Sequence, residues 1–191
     1  ISFFKRVYKR HTNFSLEQIP QYFTEKPDFG KKVSCIIDRR ADLLNQIILE
    51  IELPALQTDV SWINGIGHHI IKYVELTIGG IQICKLTGEF IDIYSELTIP
   101  PGHTIGYYNM VGKHISYNKS TQINNLHLYI PIPFWFCRSI ANSLPLVGMQ
   151  YSEIKVNILF REFNECWFSG ANMTTVPPKK EITNCLLYCD Y

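Results

Sequence analysis

The sequence predicts an all-β fold in which antiparallel sheets pack face to face as a sandwich, accompanied by one short helix. Two observations carry this. Among 191 residues there are 26 Ile but only 4 Ala, with 11 Phe and 11 Tyr. β-Branched and aromatic side chains suit a pleated surface, whereas Ala is the strongest helix former. Apolar and polar residues also alternate with a period of two over seven or eight segments, as strands do when one face is buried and the other is not.

The length suits one substantial domain or a fragment of something larger, and the first residue, Ile1, reads as a processed or truncated start. Hydrophobic residues make up 46% and charged residues 18%, enough apolar material for a sizeable core. A formal net charge of +1 argues against a protein whose main task is to neutralise phosphates. The apolar runs fall short of the roughly 18 residues a membrane-spanning helix needs.

In chain order, a first strand falls near Phe14–Phe23. Val33, Cys35 and Ile37 then alternate with Lys32, Ser34 and Ile36, and Ile47, Leu49, Ile51 and Leu53 alternate with Gln46, Glu50 and Glu52. Val74, Leu76 and Ile78 lead into Gly79-Gly80, with Ile81 and Ile83 beyond, which predicts a hairpin with a two-residue primed turn. Phe90, Ile93, Tyr94 and Leu97 follow helical spacing behind Thr87 as N-cap, so a short amphipathic helix is expected there. Thr98–Gln122 and Asn164–Lys180 are rich in turn residues and read as long surface loops. Leu126, Leu128, Ile130 and Ile132 form a further strand, as do Ile154, Val156, Ile158 and Phe160, and a last one runs from about Ile182 to Tyr188.

Enzyme signatures are lacking. No His begins a His-x-His or His-x-Asp/Glu triplet of the type that holds iron in β-sandwich enzymes. His68 and His69 are adjacent, so on a strand they would point to opposite faces and could not chelate one ion together; a structural or solvent-facing role is expected for them, with a loop-borne pair as the alternative. Neither a Gly-x-Ser-x-Gly elbow nor a Gly-x-x-x-x-Gly-Lys loop occurs, and Gly65-Ile66-Gly67 lacks the third glycine of a phosphate loop. The six cysteines are scattered without a Cys-x-x-Cys pair and are expected as free thiols, Cys185 and Cys189 sharing one strand face. Three Asn-x-Ser/Thr sequons, at Asn13, Asn118 and Asn172, carry little weight without a secretory signal. Lys5, Arg6, Lys9 and Arg10, interleaved with Phe3, Phe4 and Tyr8, read as an arm packing on a neighbouring subunit or on the domain's own base, in preference to a nucleic-acid contact.

Several segments are more specific. Phe3-Phe4-Lys5-Arg6-Val7-Tyr8-Lys9-Arg10-His11-Thr12-Asn13-Phe14, Leu53-Pro54-Ala55-Leu56, Gly67-His68, Lys72-Tyr73-Val74-Glu75-Leu76-Thr77-Ile78-Gly79-Gly80 and Tyr94-Ser95-Glu96-Leu97-Thr98 occur in that order. They are followed by Tyr129-Ile130-Pro131-Ile132-Pro133-Phe134-Trp135-Phe136-Cys137-Arg138, Leu144-Pro145-Leu146 and Gln150-Tyr151-Ser152-Glu153-Ile154-Lys155-Val156. Together they resemble the first jelly roll of the major capsid proteins of large nucleocytoplasmic DNA viruses, over nearly the whole chain. Ser139-Ile140-Ala141 departs from the family's usual Asn-Pro-Gly, so that turn is expected to differ.

The resemblance implies an eight-stranded antiparallel jelly-roll sandwich, the first half of a double jelly roll. Residues 1–12 would be the arm, 13–186 the jelly roll, and 187–191 the start of a connector to a second one. It implies a structural, non-enzymatic protein with no catalytic residues, cofactor or metal, found in the virion and assembled in the host cytoplasm. Its partners would be further copies in a homotrimeric, pseudo-hexagonal capsomer of an icosahedral shell, neighbouring capsomers and minor capsid proteins. Direct nucleic-acid contact is not implied, and membrane contact only indirectly. Phe134, Trp135, Phe136 and Arg138 form the densest aromatic cluster, suiting either core filling at a sheet end or a contact between domains or subunits. The rival readings are a carbohydrate-binding jelly roll stacking sugars on Tyr107, Tyr108 and Trp167, a minor capsid protein of the same fold, and, more distantly, a metal-dependent enzyme.

Overall fold

The computed structural model describes residues 13–56, 60–113, 125–169 and 180–191. Its strands are β1 (Gln18–Gln21), β2 (Lys32–Ile36), β3 (Leu43–Leu44), β4 (Gln46–Leu53), β5 (Val60–Trp62), β6 (Ile71–Ile78), β7 (Ile81–Thr87), β8 (Leu126–Pro131), β9 (Leu144–Pro145), β10 (Ile154–Phe160), β11 (Trp167–Ser169) and β12 (Asn184–Asp190). The α-helices are α1 (Ile66–His69), α2 (Gly88–Thr98) and α3 (Thr104–Val111).

Two four-stranded sheets, ordered β1-β12-β4-β8 and β2-β10-β6-β7, hold the eight longest strands, and two short pairs, β11-β5 and β3-β9, sit beside them. Every pairing is antiparallel. Counting only the eight long strands, one sheet holds the first, eighth, third and sixth and the other the second, seventh, fourth and fifth, which is jelly-roll connectivity.

The two-residue period of the sequence maps onto the two faces. Ile47, Leu49, Ile51 and Leu53 of β4 turn inward with Leu187 and Cys189 of β12 and Leu128 and Ile130 of β8. They meet Val33 and Cys35 of β2, Val74 and Leu76 of β6, and Ile154, Val156, Ile158 and Phe160 of β10. The outward face of the second sheet satisfies itself: Lys32 and Lys85 both approach Glu75 at 3.0 Å, and the Ser34 hydroxyl donates to Asn157 Oδ1 at 2.7 Å. Gly79 and Gly80 take φ of 58° and 82°, the left-handed conformation that a primed hairpin turn requires.

Several expectations change. Among the described residues three α-helices stand where one was expected. The helix at Gly88–Thr98 is where the sequence puts it, with the Phe90 N–H donating to the Thr87 hydroxyl. Its apolar stripe is reversed, however: Gly88, Ile91 and Ser95 are buried, whereas Phe90, Ile93 and Leu97 are exposed, Leu97 by 80%. The cause is steric. Gly88 lies against the carbonyls of His68 and Ile71 so closely that a Cβ would collide with both, and only this glycine face admits such an approach.

The stretch expected as a loop over Thr98–Gln122 contains α3, which packs on α1 and β8 and buries Val111; its residues from 114 onward lie outside the described ones. Likewise the loop expected over Asn164–Lys180 begins with β11, paired to β5, and residues 170–179 lie outside the described ones. Of residues 187–191, expected to open a connector, Leu187–Asp190 lie in β12 and Tyr191 follows it. Leu187 and Cys189 continue its buried face, and Tyr191 exchanges backbone hydrogen bonds with Glu17 at 3.0 and 2.9 Å.

Val156 sits fully buried between Cys35 and Leu76. Val156→Asp should cost more than about 3 kcal/mol, because a carboxylate there meets no partner. Lys155→Gln, on the opposite face of the same strand, should stay within about 0.5 kcal/mol of the parent. Urea denaturation of the two variants checks the assigned faces.

Candidate assembly surface

Beyond β8 the chain turns through Pro133 into a 3₁₀ turn at Trp135–Arg138. Phe134 and Phe136 are fully buried and stack with ring centroids 5.6 Å apart. Trp135 lies edge-on to Phe136 at 5.2 Å yet keeps 38% of its surface open. Arg138 is exposed, its guanidinium 5.7 Å from the centre of the Tyr94 ring. The quartet therefore divides: Phe134 and Phe136 fill the end of the core, and Trp135 and Arg138 form the part another surface can reach. Alongside runs a groove of about 180 Å³ lined by Tyr94, Ile99, Tyr107, Pro131, Pro133 and Arg138 among others. The exposed side chains of Phe90, Ile93 and Leu97 on α2 and Ile105 on α3 add apolar surface to the same helical layer.

A polar knot holds that layer together. His68 stands on α1 and is 1% exposed. Its Nδ1 lies 2.8 Å from Asp92 of α2, and its Nε2 lies 2.8 Å from the Tyr107 hydroxyl of α3. Lys113 bridges Asp92, at 2.7 Å, and Glu96, and Tyr108 donates to Glu96 at 3.0 Å. Burial holds the His68 pKa below its usual value, outweighing the opposite pull of Asp92. The ring is therefore neutral at pH 7: Nδ1–H donates to Asp92 and Nε2 accepts from Tyr107. Burial raises the Asp92 carboxyl, but hydrogen bonds from Lys113 and His68 outweigh it and hold the group ionised. Burial likewise pushes the Tyr107 hydroxyl up to about 12. His69 points elsewhere, to the Glu165 carbonyl at 2.9 Å. The knot joins α1, α2 and α3, a role invisible in the sequence because its members are 24 and 39 residues apart.

Among the described residues no three His, Cys, Asp or Glu side chains gather as metal ligands. Burial pushes the Cys35 and Cys166 thiols up to about 12 and Cys137 to about 11, far from thiolate reactivity. All six cysteines are free, with Cys185 and Cys189 on the same core face. Of the residues considered for sugar stacking, Tyr107 is tied to His68, Tyr108 to Glu96, and the Trp167 ring packs 6.5 Å from Phe163. Lys5, Arg6, Lys9 and Arg10, and the sequons at Asn118 and Asn172, lie outside the described residues.

Because His68 is held neutral in the folded state, the unfolded chain takes up a proton below about pH 6.5 that the native chain resists. Stability should therefore fall between pH 7.5 and 5, and the fall should be shallower in His68→Gln. Denaturation midpoints across that range, parent against variant, measure the difference.

With this geometry in place, comparison with known proteins gives a consistent result. The family model described as "Major capsid protein N-terminus" matches residues 2–191. A probable capsid protein of Acanthamoeba polyphaga mimivirus is 40% identical over 183 residues, covering 89% of this chain and 35% of that protein. The major capsid protein of Pyramimonas orientalis virus is 38% identical, covering all of this chain and 47% of its own length. This chain thus spans about half or less of these curated relatives. Among solved structures, PBCV-1 VP54 superposes with a TM-score of 0.82 at 27% identity, over the whole of this chain and 45% of that one. The Faustovirus major capsid protein, at 11% identity and a TM-score of 0.75, shares the fold. Sheet order, core and sequence agree: this chain belongs to the major capsid protein family of large DNA viruses and corresponds to its N-terminal jelly-roll region.

Proposed function

We propose that this chain is the first of two jelly rolls in a major capsid subunit, and that three such subunits form a pseudo-hexagonal capsomer of an icosahedral shell. The observation that carries the reading is the match over residues 2–191 to a capsid N-terminal model, together with the superposition on a protein placed in the PBCV-1 virus capsid. The physical character of the chain fits. A sandwich with a largely apolar interior and buried, high-pKa thiols offers a rigid block with lateral surfaces, as shell building requires. Its partners are then other copies of itself, neighbouring capsomers and minor capsid proteins; its place is the virion, with assembly in the host cytoplasm; and it has no enzymatic activity.

Trp135 and Arg138 are the proposed contact with a neighbouring domain or subunit. A half-exposed Trp next to an Arg whose guanidinium lies over the Tyr94 ring is the kind of pair that dominates interface energies. The full-length subunit, extended past Tyr191 to the length of its relatives, should sediment as a trimer. A strictly monomeric subunit at micromolar concentration would refute the assembly reading. Arg138→Glu should weaken trimer formation about tenfold or more while leaving the melting temperature unchanged, because Arg138 is exposed in the single chain. Unaltered assembly in that variant would remove Arg138 from the interface and leave the capsid reading standing.

A further inference from the structure

Among the described residues Tyr151 is the most exposed large hydrophobic side chain: it is 100% open to solvent, and the next, Leu97, is 80%. The backbone that carries it is nonetheless pinned. The Arg39 guanidinium donates to the Gln150 carbonyl and, at 2.7 Å, to the Ser152 carbonyl. The Ser152 N–H donates to the Met149 carbonyl at 3.1 Å, and the Gly79 N–H donates to the Glu153 carbonyl at 2.9 Å. The turn is thereby tied to the tip of the β6–β7 hairpin. A tyrosine has only two side-chain torsions to fix, and here its backbone is fixed in advance, so another surface could order the ring at little entropic cost. A bare ring on a braced turn has the character of an interface anchor, and Tyr is among the residue types that supply most binding energy.

The groove beside Trp135 and Arg138 has the size and chemistry of a socket for it. Its volume is about 180 Å³, and an apolar cavity of about 150 Å³ holds a benzene ring. Tyr94, Ile99, Pro131 and Pro133 supply apolar wall, and Arg138 adds a cation of the kind that packs on aromatic faces. Thr98 also lines it. Its hydroxyl donates to the Tyr94 carbonyl at 2.7 Å and keeps its oxygen lone pairs, so an entering phenol hydroxyl has an acceptor. Being fully exposed, Tyr151 does not enter the groove of its own chain. Anchor and socket on separate parts of one surface make a head-to-tail contact, the kind that closes copies into a ring.

We propose that Tyr151 of one copy seats in the Tyr94–Arg138 groove of the next copy in the capsomer. The inference rests on the capsomer reading and deepens it, because it names what meets Trp135 and Arg138 from the neighbouring subunit.

The full-length subunit carries the test. Tyr151→Ala should weaken its trimer about tenfold or more by sedimentation. The melting temperature of the dissociated subunit should not move, since the side chain is fully exposed in the single chain. Tyr151→Phe, which keeps the ring, should retain most of the affinity. Thr98→Trp, at an exposed position on the groove wall, should fill the socket and weaken the trimer as Tyr151→Ala does. Combining the two should cost no more than either alone, because both remove the same contact. Tyr151→p-benzoylphenylalanine, irradiated in the trimer, should give a product of dimer mass joined to residues 94–99 or 131–138 of the second copy. Parental trimer strength in Tyr151→Ala, additive losses in the double variant, a cross-link to any other segment, or none at all would each overturn this contact and leave the capsomer reading standing. A parent that stays monomeric overturns both.

Discussion

The rest of the structure depends on the burial of one face of β4. Ile47, Leu49, Ile51 and Leu53 are all fully removed from solvent, and β4 is paired on both sides, to β12 and β8. Each such side chain stabilises by about 1.5–3 kcal/mol on burial, and the two-residue period forces all four to face the same way. A slip of one residue against either neighbour would turn Gln46, Ile48, Glu50 and Glu52 into the core. The register of the first sheet follows from that, and so does the placement of the second sheet that covers it.

Once the sandwich closes, its ends need separate solutions. At one end the core is capped by Phe134 and Phe136, while Phe29, Trp62 and Phe163 form their own cluster, with centroid separations of 5.3–6.0 Å. Along the open edge of β8 the cover is helical, and helices are not held there by a broad apolar face. α1, α2 and α3 are joined by a close backbone approach at Gly88 and by the contacts of the buried His68 ring with the partly exposed Asp92 and with Tyr107. A buried imidazole needs both ring nitrogens satisfied. Meeting that demand turns Tyr107 inward and leaves the apolar stripe of α2 outward. Packing and surface chemistry are thus linked: the same contacts that seat the helices expose Phe90, Ile93 and Leu97.

This explains what was legible in the sequence. Strands β2, β4, β6, β8, β10 and β12 were readable because a half-buried strand must alternate, and each has the length to show it. The three-residue strands β5 and β11 were not, since Val60-Ser61-Trp62 and Trp167-Phe168-Ser169 are too short to show a period. Helix α3 was hidden because Gly106 and Asn109 lower its helix propensity; packing on α1 and β8 decides its state. The cap at Thr87 located α2 correctly, but the direction of its stripe depends on Gly88, whose close approach to two carbonyls no periodicity reports. At the surface site, family resemblance pointed to the segment containing Phe134–Arg138, and the structure divided it into core and surface residues. His68 illustrates the opposite case, since a histidine with partners 24 and 39 residues away leaves no local trace.

The two outer faces of the sandwich differ in a way that bears on shell building. On the second sheet, the Lys32–Glu75–Lys85 cluster and the Ser34–Asn157 pair satisfy one another and suit contact with water. On the first sheet, the register lines up Pro20, Tyr188, Ile48 and Pro131 across all four strands, with Leu186, Glu50 and Tyr129 in the next row. The hydroxyls of Tyr129 and Tyr188 interact with Glu50, and among the described residues no salt bridge reaches that carboxylate. Covering such a row with another protein surface would remove apolar area from water at little polar cost, provided the incoming surface supplied a cation or a hydrogen-bond donor to Glu50. Covering the lysine-rich face would instead require dehydrating ion pairs that already balance one another. On that physical ground the first sheet is the better suited of the two to pack against a neighbour.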